Sequence, residues 1–151
     1  MTPELRHAFD IEAHLAPTRD LGAMPYGRRR IVPILGGSVR GPRLEAEVVP
    51  GGADWQHVRS DGVVELVARY SMRTRDGVEI TVTNRGLRRA PPDVMARMAR
   101  GEVVDPALVY CRTVPQFEAP PGPCAWLNAS VFVCNAARLP DKVRVEVFEV
   151  L

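Results

Sequence analysis

Along most of the chain apolar and polar side chains alternate with a period of two, and glycine or proline interrupts the alternation at short intervals. In LRHAFDIEAHL, Leu5, His7, Phe9, Ile11, Ala13 and Leu15 share one face and Arg6, Asp10, Glu12 and His14 the other, which predicts a strand. The next stretch, APTRDLGAMPYGRRRIVPILGG, is dense in proline and glycine and predicts a long loop or edge segment ending in a short strand around Ile31 to Leu35. A further strand is expected from Arg43 to Val49, closed by Pro50-Gly51-Gly52.

The clearest hairpin is VVELVARYSMRTRDGVEITVTNRG. A three-residue Arg75-Asp76-Gly77 loop puts glycine at the left-handed position and pairs Thr74 with Val78. That register gathers Leu66, Ala68, Tyr70 and Met72 on one face with Ile80, Val82 and Asn84, and sets Arg73 opposite Glu79 on the other. A two-residue turn would mix apolar with polar residues across the pair, which is costly wherever a face is buried. The same register turns Arg69 away from the apolar face.

APPDVMARMARGEVVD breaks the pattern. Two prolines, a capping-type Asp93, apolar Val94, Met95 and Met98 and a terminating Gly101 predict one short helix. Beyond it, ALVYCRTVPQFEAP, CAWLNASVFVCNAARL and KVRVEVFEVL predict three more strands, the last with Val143, Val145 and Val147 facing one way.

Repeated strands with hairpin-type turns imply an all-β chain. The run from Val63 to Arg73 would span about 36 Å, long for a flat sandwich of this size and suited to a coiled sheet. Closure into a single antiparallel β-barrel-like domain over residues 1–151 removes exposed edges, and a barrel of about eight strands can hold one small ligand at its mouth. A β-sandwich is the alternative.

Composition narrows the function classes. The 151 residues carry 20 basic and 18 acidic side chains, a formal charge of +2, which is unlike a protein that grips a phosphate backbone. No stretch approaches the roughly 18 uninterrupted apolar residues of a membrane span, and the N-terminus lacks a secretory pattern, so a cytoplasmic protein without nucleic-acid or membrane partners is expected. Cys111, Cys124 and Cys134 form no CxxC pair and have no histidine at ligand spacing, so buried reduced thiols are expected and no metal site. Phosphate-loop and dinucleotide fingerprints are absent, and no cofactor is expected.

The candidate chemistry centres on GGADWQHVRSDG, residues 51–62, read as a segment crossing the barrel mouth. Asp54 beside the apolar ring of Trp55 would have its charged form desolvated, which suits a general acid or base; an aspartate after two glycines also serves simply to accept turn hydrogen bonds. In YCRTV, Arg112 shares a face with Tyr110 and Val114, and in AWLNASVFV an extended reading puts Trp126, Asn128, Ser130 and Phe132 together. If both faces line the interior, a guanidinium, an amide and aromatic rings converge on a carboxylate or enolate oxygen. Glu118 is the partner expected for an interior Arg112, and Tyr70 is a core tyrosine or a ligand contact at the barrel end.

Five separated phrases, GRRRIVPILGG, PGGADWQHVRSDG, ELVARYSMRTRDG, YCRTVPQFEAP and AWLNASVFV, resemble in order the uncharacterised family DUF3237, also called UPF0311. The resemblance covers nearly the whole chain. It implies a compact β-barrel-like domain, often a homo-oligomer, with no established general reaction. Where that family typically has phenylalanine before the arginine this chain has Cys111, and Ala125 stands where a tyrosine is usual.

Three classes of function are open at this point. The favoured one is a cofactor-independent isomerase, cyclase or lyase acting by proton transfer on a small oxygenated or aromatic metabolite, with Asp54 as acid or base and Trp55, Tyr70, Arg112, Glu118, Trp126 and Asn128 around the ligand. The others are a non-catalytic carrier or sensor of a similar ligand and a structural oligomeric module.

Overall fold

Strand β1 (Leu5–Leu15) pairs on one side with β9 (Lys142–Val150) and on the other with β3 (Gly27–Arg40), and this double pairing closes the sheet. The computed structural model describes residues 1–151. Between β3 and β9 the ring runs through β4 (Ala46–Val58), β5 (Val64–Arg73), β6 (Glu79–Arg89), β7 (Tyr110–Glu118) and β8 (Val131–Arg138), every neighbouring pair antiparallel. The barrel therefore has eight strands, and β2 (Arg19–Met24) lies outside the ring, paired only with β3. A β-barrel, not a sandwich, is the architecture.

Closure depends on backbone approach at Gly37, opposite Ala13 in the β1–β3 seam. Its φ is 151°, and a Cβ there would stand 2.0 Å from the Glu12 carbonyl oxygen. Only a residue without a side chain lets the two backbones meet at that spacing.

The β5–β6 hairpin has the three-residue turn its faces require. Thr74 and Val78 are joined by backbone hydrogen bonding, Gly77 has φ 87°, and Tyr70, Met72 and Ala68 sit opposite Val82, Ile80 and Asn84. The glycine-rich stretch before Ile31 is an edge segment rather than a loop: it forms the edge strand β2 and the first four residues of the 14-residue β3. Likewise Pro50-Gly51-Gly52 does not end a strand. It forms an irregularity within β4, where the pairing with β5 shifts between Val49 and Ala53 and Gly51 takes φ 109°. Residues 53–58 are therefore strand rather than a loop across the mouth, because both neighbours resume pairing immediately after the bulge.

The helix α1 (Pro92–Ala99) begins at its prolines, but Asp93 lies in its first turn and no side chain caps it. The AWLN segment also departs from the extended reading: Ala125–Asn128 is a turn of 3-10 helix, and β8 starts only at Val131.

The two ends of the interior differ in chemistry. One half is filled by Phe9, Phe117, Phe132, Met72, Ile80 and Leu127, with Phe117 and Phe132 edge-to-face at 5.1 Å and Trp126 against Phe132 at 5.8 Å. The other half, toward the ends of β4, β6 and β8, is lined partly by polar side chains and is flanked by α1, whose Met95 packs with Val64, Leu66 and Cys111. No helix is long and apolar enough to cross a membrane.

Candidate active site

Alternation puts one polar side chain after another on the inner face of the less filled half. On β4 it turns Asp54 and Gln56 inward and leaves Trp55, between them, 53% exposed on the outer surface. On β6 the inward parity that begins at Ile80 and Val82 continues through Asn84 to Arg88. On β7 it selects Cys111 and Thr113, and on β8 Arg138. Antiparallel closure then brings these positions from four strands to one cavity, completed by Tyr70 and an aliphatic wall that includes Ile34, Leu66 and Val143. The space these residues line is about 70 Å³.

Five buried polar atoms have no hydrogen-bond partner within the protein: Asp54 Oδ1, Asn84 Oδ1, Arg88 Nε, Thr113 Oγ1 and Arg138 Nη1. All five residues line this one cavity. Buried polar groups are otherwise almost always satisfied, each orphan costing about 1–3 kcal/mol, so their concentration in a single space sets this cavity apart from the rest of the interior.

The electrostatics are unusual for a barrel interior. Gln56, only 4% exposed, donates from Nε2 to Asp54 Oδ2 at 2.8 Å. Burial raises the Asp54 carboxyl above its ordinary range, opposed by the Gln56 hydrogen bond and by the positive charges of Arg88 and Arg138. Burial pushes the Arg88 guanidinium down, with Cys111 and Asp54 opposing, and Arg138 is lowered by burial and by its neighbour Arg88. Neither arginine approaches an Asp54 oxygen within the 4.0 Å of an ion pair. Two cationic groups thus share the cavity with a single carboxylate that burial disfavours in its charged form.

The other groups are neutral donors. Burial raises the Tyr70 hydroxyl and the Cys111 thiol, and Cys134 is pushed up to about 12, chiefly by burial. All three cysteines are free and buried. A thiolate nucleophile does not fit such surroundings.

The residues singled out in the sequence separate into three places. Asp54 and Tyr70 line the cavity. Trp55, Arg112 and Glu118 lie on the outside; the inner face of β7 belongs to Cys111, Thr113 and Phe117, so the alternate residues Tyr110, Arg112 and Val114 point outward. Arg112 there donates to Asn135 Oδ1 at 2.6 Å and packs over the Tyr110 ring, and it makes no pair with Glu118. Trp126 and Asn128 belong to the filled end: Arg43 stacks on Trp126, and Asn128 bonds both the amide and the carbonyl of Ala119, at 2.9 and 2.8 Å. Phe132, beside Trp126, is separated from Arg138 by about 20 Å of extended strand. The expected convergence of Arg112, Trp126 and Asn128 on Asp54 is therefore not formed.

Arg88, Arg138, Gln56 and Thr113 also line the cavity and are not among the residues the sequence singles out. Their signal was in the strand parity: Arg88 follows Asn84 by four residues and Arg138 follows Phe132 by six, both even intervals that keep a side chain on the same face.

A larger groove of about 840 Å³ runs over the outer faces of several strands. Several of its charges are matched, Glu12 meeting Arg144 and Lys142 and Asn135 bridging Arg112 and Glu146, while Arg40 makes no ion pair. It offers no buried orphan group.

The chain's relatives share both its length and its fold. A UPF0311 protein of Rhodopseudomonas palustris is 40% identical over 153 aligned residues, covering 100% of both chains, and one of Clostridium acetobutylicum is 41% identical over 82% of this chain and 78% of its own. The crystal structure of a conserved protein of unknown function from R. palustris superposes with a TM-score of 0.97 at 40% identity, covering 100% of this chain and 99% of that one. A β-barrel-like protein of Acinetobacter baumannii gives 0.86 at 33% identity over 100% and 98% of the two chains. An enzyme from Penicillium herquei has the same fold, with a TM-score of 0.74 at 18% identity over 100% and 96%. The family profile described as "Protein of unknown function (DUF3237)" matches residues 3–150. A whole-length profile match, together with full-length relatives of the same barrel, makes this chain a member of the DUF3237 (UPF0311) family.

Proposed function

We propose that the barrel is a cofactor-independent enzyme that moves a proton on a small oxygenated metabolite, an isomerase, cyclase or lyase, with Asp54 as the acid or base. The observation that carries this reading is the set of five unpartnered buried polar atoms facing one cavity, one of them a carboxylate oxygen. A carboxyl raised by burial exchanges protons nearer neutral pH than a solvated one. Arg88, Arg138 and Thr113 hold the oxygen on which negative charge develops, and Gln56 restrains Asp54 Oδ2 so that Oδ1 is the oxygen that works. The hydrocarbon wall and neutral Tyr70 keep water low around the reacting atoms.

The test is proton exchange. Incubating the protein in D2O with a panel of enolisable carbonyl compounds and hydroxy acids, with mass spectrometry of the recovered compounds, is expected to show deuterium uptake or a product for at least one class, abolished by Asp54→Asn. Ligand bound and recovered unchanged, with Asp54→Asn binding as well as wild type, would instead make the barrel a carrier.

A further inference from the structure

We infer that the ligand of this cavity is a compact hydroxycarboxylate, an organic acid whose carboxylate is held between Arg88 and Arg138 and whose hydroxyl is held by Asn84 and Asp54. The inference rests on the reading of the cavity as a ligand site and adds the chemical class.

Charge supplies the first half of the argument. Arg88 is only 8% exposed, Arg138 is half-buried, and each has a buried guanidinium nitrogen without a partner. Against their two positive charges the cavity provides one acidic side chain, which is paired with Gln56 rather than with either arginine. An uncompensated buried guanidinium is costly, and an anion that accepts hydrogen bonds from both relieves the cost while gaining charge-assisted bonds. A planar carboxylate with two oxygens matches two guanidinium donors arriving from β6 and β8.

Donor and acceptor types supply the second half. Asn84 Oδ1 and, when ionised, Asp54 Oδ1 accept hydrogen bonds and cannot serve a carboxylate; they require a group that donates. Thr113 Oγ1 can do either. A carboxylate alone would leave the acceptors orphaned, and a neutral alcohol would leave the arginines orphaned. One molecule carrying both groups serves both sets, its hydroxyl hydrogen donated to Asn84 Oδ1 and its hydroxyl oxygen accepting from the neutral form of the Asp54 carboxyl, which burial favours, and the small volume of about 70 Å³ favours a short chain between them. The aliphatic wall of Ile34, Leu66 and Val143 receives the carbon skeleton.

The test is calorimetric titration of the purified full chain with 3-hydroxybutyrate and lactate, set beside butyrate, which lacks the hydroxyl, and methyl 3-hydroxybutyrate, which lacks the charge. At least one hydroxy acid is expected to bind saturably, with the ester and the deoxy acid weaker by about tenfold or more. Arg138→Gln is expected to weaken the acid by a similar factor while leaving the ester unchanged; Arg88→Gln provides the same comparison where it folds, and the wild-type ligand series stands without either. Equal binding of acid and ester, equal binding of hydroxybutyrate and butyrate, or no binding of any acid overturns the inference. Proton exchange separates it from the catalytic reading. Hydroxy acids that bind without exchange leave the ligand class standing and remove the chemistry, whereas exchange on neutral carbonyl compounds with no affinity for acids does the reverse.

Discussion

Gln56 Nε2 donates to Asp54 Oδ2 at 2.8 Å, two residues along the same inward face of β4, and leaves Asp54 Oδ1 without a partner. The pair is local in sequence but acquires meaning only in the barrel, where the unpartnered oxygen shares a cavity with Arg88 and Arg138.

Asp54→Asn is expected to lose activity without losing the fold. Because the folded-state value of Asp54 is raised, its contribution to stability is complete below the ordinary carboxylate range and is lost as pH rises through the raised value. At neutral pH the ionised group therefore costs stability, and the neutral amide removes that cost. A melting temperature at about pH 7 equal to wild type, or a few degrees above it, is the expected result, and the difference should shrink toward about pH 4. A fall of roughly 10 °C, on the order of 3 kcal/mol for a chain of this size, would make Asp54 a structural residue.

Arg112 and Arg138 should behave differently although both lie near the same end of the barrel. Arg112→Ala removes an outward side chain bonded to Asn135 and is expected to change stability by less than about 0.5 kcal/mol, with ligand affinity unaltered. Arg138→Gln is expected to reduce ligand affinity about tenfold or more. Titration of the two variants side by side measures the contrast; an Arg112 variant as impaired as the Arg138 variant would contradict the inward and outward assignment.

Glu149 fastens the filled end. It accepts from Ser130 Oγ at 2.6 Å and from Arg6 at 2.6 Å, and it is paired with Arg43, which in turn covers Trp126. The Ser130 hydrogen bond first, and then the Arg6 and Arg43 guanidinium groups, hold its carboxyl at about 2. A lowered folded-state value contributes stability that is present above the ordinary glutamate range and is lost as pH falls through about 2. Glu149→Gln is expected to destabilise by about 1–3 kcal/mol at neutral pH and to flatten the acid limb of the stability profile, measured by urea unfolding as a function of pH.

Two further substitutions test the scaffold separately from the site. Gly37→Ala places a methyl group against the Glu12 carbonyl in the seam that closes the barrel, and a loss of about 2 kcal/mol or more, read as a lower denaturant midpoint, is expected. Asn128→Ala deletes both hydrogen bonds to the Ala119 backbone, with an expected cost of about 1–2 kcal/mol and no change in ligand affinity. Altered affinity in the Asn128 variant would return that residue to the ligand site.

The fold was more legible than the site. The inward set of the β5–β6 hairpin follows from the Arg75-Asp76-Gly77 turn, because a buried face tolerates no slip by one residue. The AWLN segment was misread because a short stretch of aromatic and polar residues satisfies an extended alternation as easily as a 3-10 turn. The Pro50-Gly51-Gly52 stretch was misread because the same residues that end strands also permit a bulge within one. Grouping Arg112 with Tyr110 and Val114 leaves open which face of the strand turns inward, and it is Cys111, Thr113 and Phe117, the apolar-weighted set, that does so.

Alternation and turn chemistry are local, so the chain alone specifies strands, their two faces and the register of neighbours joined by a tight turn. Which strands meet across the interior, and at what height each inward side chain stands, follows from closure at the β1–β3 seam and from the axial stagger that closure imposes. Asp54, Arg88 and Arg138 stand in sequence tens of residues apart, on β4, β6 and β8, and no periodicity relates one to another. They share a cavity because a coiled sheet wraps back on itself, leaving one half of its interior packed with aromatic rings and the other lined with charge.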